Sequence, residues 1–207
     1  MNFHYPNGSS FKNTNKSKQL NLSKNSSINY GDRGMSLEAE LNQSNEYYLD
    51  EDIAVVHKKP TPIQIVNVDY PKRSAAVIKE AYFQHASTTD YNGVYRGKYI
   101  DFDAKETTSN TSFPLSNFHK HQIEHMRKCT QLGGITFAMI KFVKSNELFV
   151  LAGPNLFYYW DRQNNGGRKS ISKSELQDNA YQIKYQFQPL IPYLSAVDHI
   201  IDDRNNI

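Results

Sequence analysis

The run Ile135-Thr136-Phe137-Ala138-Met139-Ile140-Lys141-Phe142-Val143 is almost continuously apolar, rich in β-branched and aromatic side chains, and free of proline and glycine. Successive side chains of a strand point to opposite faces. A strand apolar on both faces must be covered on both, which is the position of a central strand in a layered α/β domain. Glu147 to Leu151 follows across Ser145-Asn146 and predicts a hairpin partner. The elements around this core read as follows. Leu37, Leu41 and Tyr48 recur at helical spacing within the acidic stretch 36–52, and Pro62 to Tyr70 alternates like a strand. Ser74 to Phe83 lacks Gly and Pro and reads as a helix with Ala76, Ile78, Ala81 and Tyr82 apolar. A further helix is expected from an N-cap at Ser116, after Pro114, to about Gln131, where Gly133-Gly134 ends it. Pro154 opens a short helix through Trp160, with Phe157, Tyr158 and Trp160 as packing residues. Ser172 and Glu175 form a capping box for the next helix, and Ile191 to Ile201 makes a last amphipathic element. This order predicts an α/β fold with a mixed central sheet flanked by helices.

The chemistry concentrates in two adjacent stretches, Thr88-Thr89-Asp90-Tyr91 and Tyr99-Ile100-Asp101-Phe102-Asp103-Ala104-Lys105. Arg96-Gly97 is a turn signal between them, so a hairpin brings the region of Asp90 beside Asp103. On a strand, Asp101, Asp103 and Lys105 share one face and Ile100, Phe102 and Ala104 the other. Carboxylates at such spacing suit a hard divalent cation, which neutralises a phosphodiester, activates water and stabilises the leaving oxygen. A lysine beside them suits the charge that develops on the phosphate. A D-x-K triplet alone equally suits a solvated strand face or a surface ion pair. His119, His121 and His125 share a stretch of the expected helix, but no H-E-x-x-H pattern accompanies them, which disfavours zinc. His121 and Arg127 suit phosphate contacts or a solvated helix face equally.

The chain of 207 residues, with net charge +3, suits one substantial core. Residues 1–33 read as a flexible basic N-terminal arm carrying Lys12, Lys16, Lys18 and Lys24 amid Asn and Ser, and residues 34–207 as one domain. A phosphate-tracking arm and a solvated tail fit that composition equally. Cys129 is the sole cysteine, which excludes an intrachain disulfide and a Cys-based zinc finger and fits a reducing cytoplasm. No apolar run reaches the roughly 18 residues of a membrane span, and the N-terminus lacks the apolar core of a signal peptide. The expected setting is cytoplasmic, without a membrane partner.

Several segments carry a family resemblance. They are Tyr30-Gly31-Asp32-Arg33-Gly34-Met35-Ser36-Leu37-Glu38, His57-Lys58-Lys59-Pro60-Thr61-Pro62-Ile63-Gln64-Ile65-Val66 and Tyr70-Pro71-Lys72-Arg73-Ser74-Ala75-Ala76-Val77-Ile78. Glu80-Ala81-Tyr82-Phe83, Ser87 to Tyr95, Thr111 to Leu115 and His121 to Met126 complete the set. Together they resemble the RecU family of Holliday junction resolvases over nearly the whole chain. The resemblance implies a restriction endonuclease-like fold with a PD-(D/E)xK site, in which Thr88, Asp90, Asp103 and Gln122 ligate Mg²⁺, with Mn²⁺ as a substitute. Asp90, Asp103 and Lys105 would be the catalytic residues, Lys105 stabilising the transition state. It further implies a stalk at about residues 70–90, projecting between the strand at 62–70 and the catalytic hairpin. DNA contacts would come from Arg33, Lys58, Lys59, Lys72, Arg73 and Lys79, with Tyr82 and Phe83 against unstacked bases. Read from sequence alone, those two aromatics belong in a core. The implied activity is metal-dependent, symmetrical resolution of four-way junctions by a homodimer in recombination and repair, alongside strand-exchange and branch-migration proteins. The alternative is a junction-binding or annealing protein with weak or no cleavage. Asp103 departs from the family, which generally has Glu there, and its shorter side chain predicts a preference shifted toward Mn²⁺.

Overall fold

The computed structural model describes residues 35–69, 76–83 and 88–205. In chain order the elements are α1 (Leu37–Asp50), β1 (Ala54–Lys58), β2 (Ile63–Asp69), β3 (Val77–Phe83), β4 (Tyr91–Tyr95) and β5 (Lys98–Thr107). There follow β6 (Ser112–Pro114), a 3₁₀ turn (Leu115–Asn117), α2 (Lys120–Gln131), β7 (Ile135–Phe142), β8 (Glu147–Ala152) and α3 (Gly153–Asn164). β9 (Ser170–Ser172), α4 (Lys173–Asn179), β10 (Tyr181–Ile183) and α5 (Leu194–Asn205) complete the chain. Six strands form the central sheet in the order β1-β4-β5-β7-β8-β10. Only the β5–β7 pair is parallel, so the sheet is mixed, as the sequence predicts.

All of β7 is buried, because its two faces feed two different cores. Ile135, Phe137 and Met139 join Ile100 and Phe102 of β5 beneath Leu37 and Leu41 of α1 and Val197 and Ile201 of α5. Ala138, Ile140 and Phe142 face Ile123 and Met126 of α2, Leu156 of α3 and Leu176 of α4. Within the first core, Phe102 is stacked between Tyr91, at 4.9 Å, and Phe137, at 4.5 Å. Such offset aromatic pairs add about 0.5–1.5 kcal/mol each beyond area burial. They fix the β4–β5–β7 alignment that carries the polar stripe on the opposite face.

The β4–β5 hairpin turns at Arg96 (φ 49°) and Gly97 (φ 69°), two successive left-handed residues that match the twist of the strands. At Gly93 a Cβ would lie 2.1 Å from the Val55 carbonyl oxygen, so only glycine lets β1 pair this closely with β4.

Four sequence expectations need correction. Val77–Phe83 is a strand, paired antiparallel with β2 in a separate two-stranded ribbon, whereas Ser74 and Ala75 lie outside the described residues. β-Branched Val77 and Ile78 and aromatic Tyr82 and Phe83 favour the extended form, and the absence of glycine and proline is permissive for either. Within the alternating segment, Ile63–Asp69 is accordingly one arm of this ribbon, and the first strand of the body is β1. Helix α2 begins at Lys120 with His119 as N-cap, because Leu115–Asn117 is taken up by the 3₁₀ turn. Helix α3 runs beyond Trp160 to Asn164, and Tyr158 on it is 65% exposed instead of packed. The capping box at Ser172 and Glu175 is present.

Candidate active site

Strand β5 supplies Asp101, Asp103 and Lys105 on the face opposite Phe102, and both aspartates are fully buried. The backbone amide of Asp90 donates to Asp103 Oδ1 at 3.2 Å. Lys105 Nζ donates to Asp90 Oδ2 at 3.2 Å and to Asp103 Oδ1 at 3.3 Å. The hairpin therefore brings the two acids and the lysine into one cluster. It opens on a cleft of about 560 Å³ bounded also by Thr88, Thr89, Lys58 and the first turn of α1. Helix α1 is held there by Ser36 Oγ, which accepts from the Ala39 amide, and by Glu106, which accepts from the Leu37 amide.

Burial drives the Asp103 carboxyl well above the usual carboxylate range, the crowding carboxyl of Asp90 adds to this, and the charge of Lys105 opposes it. For Asp90, burial acts upward but is outweighed by the hydrogen bond to Asp103 and by Lys105, so its pKa lies below the ordinary value. Two crowded carboxyls with pKa values driven apart share a deficit of positive charge. Asp103 Oδ2 is buried and has no hydrogen-bond partner among the described residues. An orphaned buried carboxylate oxygen beside a second carboxylate fits a hard divalent cation, for which oxygen donors are the preferred ligands.

Thr88 lies on the cleft wall next to these residues. Gln122 is buried at the first turn of α2, and its Oε1 accepts the His119 amide at 3.0 Å, so that oxygen also caps the helix. Of the residues expected to touch DNA, Arg33, Lys72 and Arg73 lie outside the described residues. Lys58 pairs with Glu38 at 2.5 Å, and Lys79 pairs across the ribbon with Asp69 at 2.8 Å. Tyr82 and Phe83 are 59% and 84% exposed, in contrast to the core position suggested by their apolarity. Arg127 pairs with the exposed Asp161 at 2.6 Å and lies over the Phe157 ring.

Lys59, by contrast, is turned inward, and this exposes a network that sequence reasoning missed. Its ammonium donates to Asp101 Oδ2 and to Thr89 Oγ1, each at 2.8 Å. Asp101 also accepts from Thr89 Oγ1 and from Tyr99 Oη at 2.7 Å, and meets His125 Nε2 at 3.3 Å. Burial would raise the Asp101 pKa, but the bonds from Lys59, Thr89 and Tyr99 hold it below the usual value. Asp101, His125 and Cys129 bring one ligand atom each within 4.8 Å of one another. The Lys59 ammonium already neutralises Asp101 in that group, and its two oxygens are taken by protein donors. The oxygen-only Asp90–Asp103 pair, with one oxygen unpartnered among the described residues, fits a hard cation better than this group does.

Comparison with known proteins agrees with the resemblance seen in the sequence. The family model described as Recombination protein U matches residues 32–199. A Holliday junction resolvase RecU of Pediococcus pentosaceus is 64% identical over 203 residues, covering 98% of this chain and 100% of the relative. Proteins of the same name from Lactiplantibacillus plantarum and a Geobacillus species are 58% and 55% identical. The first spans 100% of both chains, and the second covers 97% of this chain and 98% of its own. On this evidence of sequence, and with a mixed sheet presenting a buried D-x-K strand, the chain belongs to the RecU family.

Proposed function

We propose that the protein is a divalent-metal-dependent endodeoxyribonuclease that resolves four-way DNA junctions by symmetrical phosphodiester hydrolysis. The observation that carries this reading is the Asp90–Asp103–Lys105 cluster, in which one buried Asp103 oxygen has no hydrogen-bond partner among the described residues. Relatives spanning the full chain are named Holliday junction resolvases. Asp90 and Asp103 would hold Mg²⁺ or Mn²⁺, with Thr88 and Gln122 adding neutral oxygens. When bound, the cation supplies a water of lowered pKa and neutralises charge on the scissile phosphate.

The protein's own residues perform the remaining tasks. Lys105 is fixed by two carboxylates, so its ammonium is already oriented toward charge developing on the phosphate. Burial of Asp103 strengthens each of these electrostatic contacts. The β2–β3 ribbon offers Tyr82 and Phe83 as stacking surfaces for bases that a junction leaves unstacked. Two cuts of like polarity call for two sites related by a two-fold axis, so the working form is a homodimer. Among the described residues no helix is long and apolar enough to cross a membrane, which is compatible with action on DNA in the cytoplasm.

The test is to offer a mobile four-way junction and a linear duplex of the same sequence together, with Mg²⁺, with Mn²⁺ and with chelator. The expected result is metal-dependent nicking of the junction with the duplex left intact. Equal cutting of duplex would make the protein a restriction-type nuclease. Tight binding without cutting under either metal would make it a junction-binding protein.

A further inference from the structure

The β2–β3 ribbon has no buried face to orient it, since every residue of β3 and six of the seven in β2 are exposed. A lone two-stranded ribbon is marginally stable in water, so what holds it in place must act at its base. The chain departs for the ribbon at Lys59-Pro60 and returns at Thr88-Thr89, and both ends converge on Asp101. Lys59 gives its ammonium to Asp101 Oδ2 and Thr89 Oγ1, while Thr89 donates to Asp101 Oδ1. The Lys59 amide also donates to the Asp90 carbonyl at 2.8 Å. From the body, Tyr99 Oη and His125 Nε2 meet the same carboxylate. Asp101 is fully buried and Thr89 is 1% exposed, so solvent competes weakly for these bonds.

We propose that Asp101 is a positioning residue that clamps both ends of the ribbon and thereby sets Asp90 against Asp103, coupling engagement of the ribbon by DNA to assembly of the catalytic pair. This rests on the reading of the cleft as a nuclease site. The coupling has a direct path. Asp90 is tied through its carbonyl to Lys59 and through its amide to Asp103, and a shift of either ribbon end displaces it. A displacement of about 1 Å at a reacting group costs roughly 10²-fold in rate. The clamp also takes Lys59 out of the set of phosphate contacts and gives it an internal role.

Thr89→Val and Thr89→Ser separate this from a purely structural part, because one removes the hydroxyl at constant shape and the other retains it. Thr89→Val leaves the buried Asp101 Oδ1 without its donor, so a melting temperature lower by several degrees is expected, while its junction Kd, measured with Ca²⁺, should stay within about twofold of wild type. Its single-turnover cleavage rate with Mg²⁺ should fall by roughly 10²-fold, and Thr89→Ser should restore it. Lys59→Gln, acting on the same carboxylate, is expected to repeat the pattern and serves where Thr89→Val does not fold. An unchanged rate overturns the proposal, as does a Kd that weakens in step with the rate. Amide hydrogen exchange of residues 89–91 gives a second reading that needs no cleavage. Junction DNA should slow exchange there in wild type and leave it unchanged in Thr89→Val, and no slowing in wild type also overturns the proposal. A wild type that does not cut contradicts the nuclease reading alone, and the exchange comparison then decides the clamp.

Discussion

Asp103 stays fully buried while one of its oxygens serves Lys105 and the Asp90 amide and the other has no hydrogen-bond partner among the described residues. A carboxylate with so little slack should register a change of one methylene. The Asp103→Glu variant, which lengthens the side chain by one methylene, is expected to keep cleaving and to raise the ratio of Mg²⁺-supported to Mn²⁺-supported rate. Metal titrations of the two proteins read this, and superimposable profiles contradict it. Sequence reasoning reached the Asp90–Asp103–Lys105 cluster because the strand period and an adjacent turn suffice to place those side chains together. It did not reach the pairing of Lys59 with Asp101 and Thr89, whose partners lie 42 and 30 residues away and meet only once the sheet has formed. A lysine before a proline offers no local sign of which way its ammonium turns.

At the scale of elements, strand β7 was readable because a run apolar on both faces has few places to go. The β3 arm of the ribbon is illegible for the converse reason, although the alternation of β2 reads correctly as a strand. β3 buries none of its residues, so its apolar side chains carry no core periodicity to distinguish strand from helix. Exposure of this kind predicts a functional cost without a structural one. Phe83→Ala should leave the melting temperature within a degree or two, yet weaken junction binding by about tenfold, or roughly 1.4 kcal/mol, within the range of one stacked base. Calorimetry beside a binding titration separates the two effects, and a large loss of melting temperature would place Phe83 in the core after all. The α4 cap makes a different kind of prediction. Burial raises the Glu175 pKa, but Arg162 and the Ser172 cap outweigh it and bring it to about 2. A carboxylate depressed in the folded state stabilises above its unfolded value of about 4.3. That contribution fades as pH falls toward 2. Glu175→Gln should therefore cost about 1–2 kcal/mol near pH 7, and the gap to wild type should close on acidification. Denaturant unfolding at pH 7 and pH 3 measures it, and a gap that widens in acid would contradict the assignment.

For the whole molecule, the sheet divides labour between its faces. The apolar side of β5 is locked by the Tyr91–Phe102–Phe137 stack, and the polar side holds three buried or half-buried charges whose positions that stack fixes. The mixed sheet with flanking helices was legible from element order alone. The path of the ribbon was not, because it depends on polar contacts at its base instead of on burial. A junction recognised by shape and phosphate contacts should be bound less tightly as salt rises, whereas chemistry at the buried pair should respond to the metal and to Lys105. The central claim is tested most directly by single-turnover cleavage of a strand-labelled mobile junction with Mg²⁺, comparing wild type with Lys105→Ala at matched, saturating binding. Wild type should produce paired nicks at symmetric positions in two opposing strands, and Lys105→Ala should bind equally and cut at least 10²-fold more slowly. Equal cutting by both proteins, or an intact junction with both, would contradict the account.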